Sequence, residues 1–173
     1  MPRLTGADLD EFLDQPHVGV LATLRGDGLP YTVPVWWLWH ENAFWLTGTS
    51  TRVWCRQLMA DPRASLCIEA MAPVAAHVGC DGPVTFIDPD TADIWPISAM
   101  LVDKYVRRAQ GDAAAEAFLA NMRTEPRVLF RLEPRTARNA VRAIDMRVYE
   151  GKRADREYQA ARRTEQETGE GSA

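Results

Sequence analysis

The 173-residue chain has almost no lysine: Lys104 and Lys152 are the only two, and arginine supplies the rest of its basic charge. Twenty basic residues stand against 24 acidic ones, a formal net charge of −4. Without a basic excess there is no stripe of cations to displace counterions along a phosphate backbone, so no nucleic-acid partner is expected. Histidine and cysteine are just as sparse. His17, His40 and His77 stand apart from one another, and Cys55, Cys67 and Cys80 show neither a Cys-x-x-Cys pair nor metal-ligand spacing. No metal site is expected, the thiols are expected to be reduced and buried, and the histidines are read as surface or structural residues. No apolar run approaches the ~20 residues that a bilayer span requires. The opening Met1-Pro2-Arg3-Leu4 lacks the apolar stretch of a signal peptide, so the expectation is a cytoplasmic protein with no membrane partner. Also missing are a Gly-x-Gly-x-x-Gly turn, a Walker-type loop and a nucleophile with a base at recognisable spacing, which leaves hydrolase readings with little support.

What is present suits one globular domain. With 46% hydrophobic and 25% charged residues the chain can build a real core, and its length leaves no room for a second one. The expected division is a domain over 1–150 and a charged, loosely ordered tail over 151–173, where small polar residues bury too little to offset ordering. Thr5 reads as the N-cap of a short helix with Leu9, Phe12 and Leu13 on one face, ended by Pro16. Val18 to Leu24, the turn Arg25-Gly26-Asp27-Gly28, and Tyr31 to Trp39 read as a hairpin. Phe44 to Thr47 follows as a third strand, and a helix should run from near Ser50 to Asp61-Pro62. Further strands are expected over 63–69, 74–80 and 84–87, with Asp81-Gly82-Pro83 as a turn. Two helices should fill the stretch after Asp88, before strands over 127–133 (alternating and half exposed) and 138–144. Short strands at close spacing with a few inserted helices indicate a small barrel with flanking helices.

Two segments could carry chemistry. Thr47-Gly48-Thr49-Ser50-Thr51-Arg52 leads from a strand into a helix, where free backbone N–H groups, hydroxyls and a guanidinium fork could hold a phosphate. Arg52 in a first helical turn opposes the helix dipole, a conflict that a bound anion would remove. The commoner use of such a segment is an ordinary Ser/Thr cap beside a solvated arginine. The second segment, Val33-Pro34-Val35-Trp36-Trp37-Leu38-Trp39, has large residues on both faces, so both should be covered. Pro34 removes a ladder donor, leaving backbone free near a flat ring. A plain core and dimer surface explains the tryptophans equally well.

In order along the chain, Leu21-Ala22-Thr23-Leu24, Gly26-Asp27-Gly28-Leu29-Pro30, Val33-Pro34-Val35-Trp36, Leu46-Thr47 to Arg52, and Asp61-Pro62-Arg63 resemble the pyridoxamine 5'-phosphate oxidase-like, FMN-binding split-barrel superfamily over roughly 5–145. The resemblance implies a mainly β fold: a six-stranded antiparallel split β-barrel with flanking α-helices, homodimeric, with flavins in grooves between two subunits. It implies that Pro34, Val35 and Trp36 lie against the isoalloxazine ring, that Thr47, Thr51 and Arg52 hold the ribityl phosphate, and that Arg56 assists. FMN would carry hydride to or from a small-molecule substrate, with Trp36 and Trp37, and Trp95 on the helical side, shaping its pocket.

Departures narrow this. Tyr31 and Trp36 stand where true pyridoxamine phosphate oxidases have an arginine and a lysine, Val53 stands in place of a lysine, and the C-terminal arginine–histidine pair has no match. Oxidation of vitamin B6 is therefore not expected. Two alternatives share the fold: a reductase using the deazaflavin coenzyme F420, whose acidic tail would need basic groups such as Arg25, Arg56, Arg107 and Arg108, and a non-catalytic flavin-binding or sequestering protein.

Overall fold

The computed structural model describes residues 3–73, 75–134 and 141–147; the expected tail and the first residues of the expected 138–144 strand lie outside them. The chain enters through α1 (Ala7–Asp14), which buries Phe12 and Leu13. Its N-cap is Gly6 at φ 59° rather than Thr5, because a left-handed residue is needed there and glycine takes it without strain. β1 (Gly19–Leu24) and β2 (Pro30–Val35) then form the expected hairpin, in register from Leu24↔Pro30 to Gly19↔Val35. The turn is closed by the Arg25 N–H donating to the Leu29 carbonyl over 2.9 Å.

The run expected to continue to Trp39 does not stay one strand. β2 stops at Val35, the chain steps aside through Trp36 and Trp37, and β3 (Leu38–His40) pairs instead with β4 (Ala43–Thr49). After β4 comes α2 (Val53–Ala60), beginning three residues later than expected. β5 (Arg63–Ala70) lies antiparallel to β1 and to β6 (Ala76–Ile87). A break was expected at Asp81-Gly82-Pro83, yet β6 passes through it unbroken for 12 residues. The physical reason is a change of partner rather than a reversal: β6 pairs with β5 up to Pro83 and with β7 (Arg127–Leu132) from Val84 onward. A proline without an N–H fits the point where one ladder ends and the next begins. β8 (Val141–Asp145) flanks the first half of β6.

All these pairings are antiparallel, in the order β2-β1-β5-β6-β7-β4-β3 with β8 on β6. The long β6 joins the two halves, and the sheet curls into a half-barrel of the split-barrel type. Among the described residues it has eight strands against the six that the resemblance implies: the tryptophan step divides one expected run, those expected over 74–80 and 84–87 join as β6, and β8 falls in the strand expected over 138–144. Phe12, Leu21, Trp37, Phe44, Leu46, Leu66, Ile68 and Phe130, all at most 1% exposed, fill its concave side. Cys55 and Cys80 are buried as expected, but Cys67 is exposed, because alternation along β5 turns it outward between Leu66 and Ile68.

The helical region lies outside the curl. α3 (Trp95–Val102) continues through one wide π-type turn (Asp103–Arg107) into the short α4 (Arg108–Gln110). Gly111, at φ 85°, then redirects the chain into α5 (Asp112–Met122). Val102, Val106, Ala115 and Met122 pack these helices together. Ile94 and Trp45 cover Leu129, so β7 is buried on both faces at this point rather than half exposed. No helix among the described residues is long and apolar enough to cross a membrane.

Candidate functional site

The tryptophan step organises the site by sending two neighbouring rings in opposite directions. Trp37 is fully buried in the core, while Trp36 keeps 39% of its surface exposed. The step is held open by Tyr105, whose hydroxyl accepts the Trp37 N–H at 3.2 Å and sits 2.8 Å from the His17 carbonyl and 3.2 Å from that of Trp37. Burial pushes this phenol far above its ordinary pKa, so it stays a donor. The Tyr105 ring also stacks on Trp36, 4.8 Å between centroids at 3°. Hence Trp37 does not shape a pocket, contrary to expectation, and Trp36 does.

The strand-to-helix junction is built by a close approach. At Gly48 an added Cβ would lie 2.5 Å from the Trp54 ring and 2.7 Å from Cys55 Sγ, so α2 can rest on β4 only over a glycine. Arg52 occupies the N-cap of α2 in extended conformation, with no side-chain cap, and no acidic residue follows in the first turn. The expected Ser/Thr capping hydrogen bond is therefore not made, and the first N–H groups of α2 keep their positive end uncompensated. Ser50 N–H donates to the Pro126 carbonyl over 2.8 Å, which pins this junction to the start of β7.

Between the step and the junction lies a cleft of about 380 Å³. Pro34, Val35, Trp36, Thr47 and Arg52 all line it, five of the seven residues singled out from the sequence. Thr51 and Arg56 are exposed and do not line it; Arg56 lies one helical turn beyond Arg52 and projects from the surface. Leu101, Val102, Phe118 and Met122 form the facing helical wall. Trp95 does not line the cleft; it packs behind the helical wall, against the cluster of Val102 and Met122 and that of Ile94 and Leu129, with the Arg123 guanidinium 4.2 Å over its ring. The Thr47 hydroxyl donates to the Val128 carbonyl at 3.1 Å, which leaves it an acceptor until that bond is given up.

Arg127 also lines the cleft, and it is the residue that reading the sequence missed. Its side chain is 12% exposed, one terminal nitrogen lies 2.6 Å from Glu125 Oε2, and its buried Nε has no partner. The only sequence signal was its place at the head of an alternating strand; its partner across the ladder, Thr49, could not be foreseen. Both Arg52 and Arg127 act electrostatically on the Cys55 thiol, but burial dominates and pushes it up to about 12. An aromatic wall at one end and two guanidiniums at the other suit a planar molecule bearing an anionic group.

Other arginines are engaged elsewhere. Arg107 binds Asp103, Asp112 and Glu116, Arg108 pairs with Asp14, and Arg25 lies over the Tyr31 ring. A second cleft, also about 380 Å³, lies between α1, β3 and α3 and is lined by Asp10, Asp14, Trp39, Met100 and Lys104. Among the described residues no group of three or more metal-ligating side chains occurs.

A curled antiparallel half-barrel with this step, this junction and this cleft defines a protein of the split-barrel class. The sequence pattern of the pyridoxamine 5'-phosphate oxidase family matches residues 6–140, and the chain belongs to that family. Solved structures agree in fold. An F420 reductase is similar at 20% identity and TM-score 0.52, covering 73% of this chain and 93% of that one. The heme storage protein HutZ of Vibrio cholerae is similar at 15% identity and TM-score 0.56, with coverages of 79% and 91%. An FAD-binding protein of Mesorhizobium loti is similar at 18% identity and TM-score 0.51, with coverages of 82% and 95%. No curated protein matches the chain.

Proposed function

We propose that this chain is a flavin-dependent oxidoreductase that binds FMN in the cleft, as a homodimer, and passes hydride to or from a small organic substrate. The observation that carries the reading is convergence: Trp36 and Pro34 from one strand end and Thr47 and Arg52 from the strand–helix junction reach one cleft from separate parts of the sequence. The buried Nε of Arg127 has no hydrogen-bond partner, and a phosphate at this end of the cleft would offer it an acceptor. Arg52, Arg127 and the α2 N-terminus would hold the phosphate, and Pro34, Val35 and Trp36 would flank the ring. FMN, when bound, supplies reversible hydride transfer. The chain's own residues orient it and exclude water with the Leu101–Val102–Phe118–Met122 wall. Exposed Val18, Trp36 and Phe118 at the cleft offer an apolar surface that a second copy would cover.

The similarity to an F420 reductase keeps the deazaflavin coenzyme as the second reading. FMN is favoured because two of the four basic groups that could receive an acidic tail, Arg107 and Arg108, are paired with carboxylates. Titration of the purified protein with FMN and with the deazaflavin, followed by absorbance, decides between them, and turnover with a reductant separates an enzyme from a flavin-sequestering protein. Arg52→Ala removes a charge-assisted contact of roughly 1.5–3 kcal/mol and should weaken FMN binding about ten- to a hundredfold. Unchanged affinity would remove Arg52 from the site. A stable monomer that retains flavin would refute the dimeric site.

A further inference from the structure

We propose that the cleft between α1, β3 and α3 is a second binding site, in which Lys104 captures a small uncharged aldehyde as a reversible imine. No described residue lines both this cleft and the candidate flavin cleft, so the site stands or falls apart from the flavin reading. Lys104 lines the cleft yet is only 4% exposed. Its nitrogen has the Leu13 carbonyl at 2.9 Å and the centre of the Trp37 ring 3.4 Å away, and neither is a carboxylate that would hold it as an ammonium. As a free amine it carries two N–H groups and one lone pair. The Leu13 carbonyl and the face of Trp37 suit the two N–H groups, which leaves the lone pair for an electrophile.

The surrounding charges favour that form. Arg108 grips both oxygens of Asp14, and Arg107 binds Asp103, so these carboxylates are occupied by guanidiniums. His17, just after α1, is held below its ordinary pKa by burial and by Lys104 itself, and burial keeps the Tyr105 phenol protonated. Burial also brings Lys104 down to about 7, the activation that desolvation gives a nucleophilic lysine. Leu13, Leu38, Trp39 and Met100 supply an apolar wall, while Asp10, Asp14 and Asp103 outnumber Arg108 at the rim. That combination selects an aromatic or short alkyl aldehyde that bears no carboxylate or phosphate. The nitrogen lone pair attacks the carbonyl carbon, the C=O pair moves to oxygen, and a proton passes from nitrogen to that oxygen. The carbinolamine then loses water as its C–O bond breaks and the C=N bond forms. No electron is gained or lost, and the rim carboxylates favour the protonated imine.

The test is reductive trapping with benzaldehyde and cyanoborohydride slightly above neutral pH, read by peptide mass analysis; hydride from the reagent turns the imine into a stable secondary amine. Lys104 and Lys152 are the only lysines, so each is followed separately. Lys104 should be labelled at least about tenfold faster in the folded chain than in the chain unfolded in guanidinium chloride, because a lysine of ordinary pKa is less than about 1% free base there. A lysine buried only for packing would be protected by folding, and slower labelling in the folded chain overturns the proposal. Para-carboxybenzaldehyde should label Lys104 severalfold more slowly than benzaldehyde does, and Asp10→Asn, a change at an exposed residue, should narrow that gap. Equal labelling by the two aldehydes in wild type overturns the assignment to an uncharged ligand, and a gap that Asp10→Asn leaves unchanged overturns the role of the acidic rim.

Discussion

Lys104 is 4% exposed, and its ammonium has one hydrogen bond, to the Leu13 carbonyl at 2.9 Å, and the Trp37 ring 3.4 Å below it. Those partners do not match the hydration it gives up, and burial lowers its pKa from 10.5 to about 7. Asp14 pulls the other way and Arg108 adds to the drop; Asp10 and Asp103 complete the charged groups at that cleft. The sign follows from proton counts. Between about pH 7 and 10.5 the unfolded chain holds a proton on this lysine that the folded chain has released, so stability rises with pH across that window. The gap corresponds to roughly 5 kcal/mol if fully expressed. Lys104→Met removes the titration and leaves the Leu13 carbonyl unpartnered, a pH-independent cost of about 1–3 kcal/mol. The two stability curves, measured by urea denaturation from pH 6 to 10, should therefore cross: the variant is more stable near pH 6 and less stable near pH 10. Parallel curves would refute the argument, because they would mean that Lys104 titrates alike in both states.

Tyr105→Phe keeps the ring that stacks on Trp36 but strips the hydroxyl that accepts the Trp37 N–H. A loss of about 2 kcal/mol is expected, or ~4–8 °C in Tm; a Tm within one degree of wild type would show that water replaces the hydroxyl. Gly48→Ala drives a methyl to 2.5 Å from the Trp54 ring, and overpacking of this kind costs about 1–3 kcal/mol. Because Trp54 also lines the cleft, FMN affinity should fall along with stability. A variant as stable as wild type would show that α2 lifts away freely.

Local patterns were legible where local rules decide. The Arg25–Gly28 turn, the alternation of β1 and the helix after Gly48 follow from short-range chemistry, and the five cleft residues lie on segments that such patterns mark. What failed depends on distant partners. Asp81-Gly82-Pro83 looks like a turn until β7 is known to take over pairing from β5 at Pro83. Trp36 and Trp37 read as one strand until Tyr105, 68 residues further on, supplies the hydroxyl that lets Trp37 leave the ladder. Arg127 carried no motif at all; its importance comes from a ladder partner, Thr49, and a carboxylate two residues back. Thr51 and Arg56 had the right chemistry and spacing, yet both are exposed and neither lines the cleft.

The π-type turn at Asp103–Arg107 explains how one helical stretch serves both clefts. Lys104, Tyr105 and Val106 are consecutive, yet all three are buried, at 4%, 9% and 3% exposure. A regular α-helix advances about 100° per residue, so three successive side chains sweep most of the circumference and one of them should meet solvent. The wider turn slows that advance. It allows Lys104 to reach the Trp37 ring beside the second cleft, Tyr105 to back Trp36 in the first, and Val106 to join the packing of α5. π-type turns are tolerated mainly where their geometry is used, and here the use is visible: the ring that lines the candidate flavin cleft rests on a residue whose neighbour is the buried lysine. The position of Trp36 is thus set by the helical insert as much as by its own strand, and this is why no reading of residues 31–39 alone could place it.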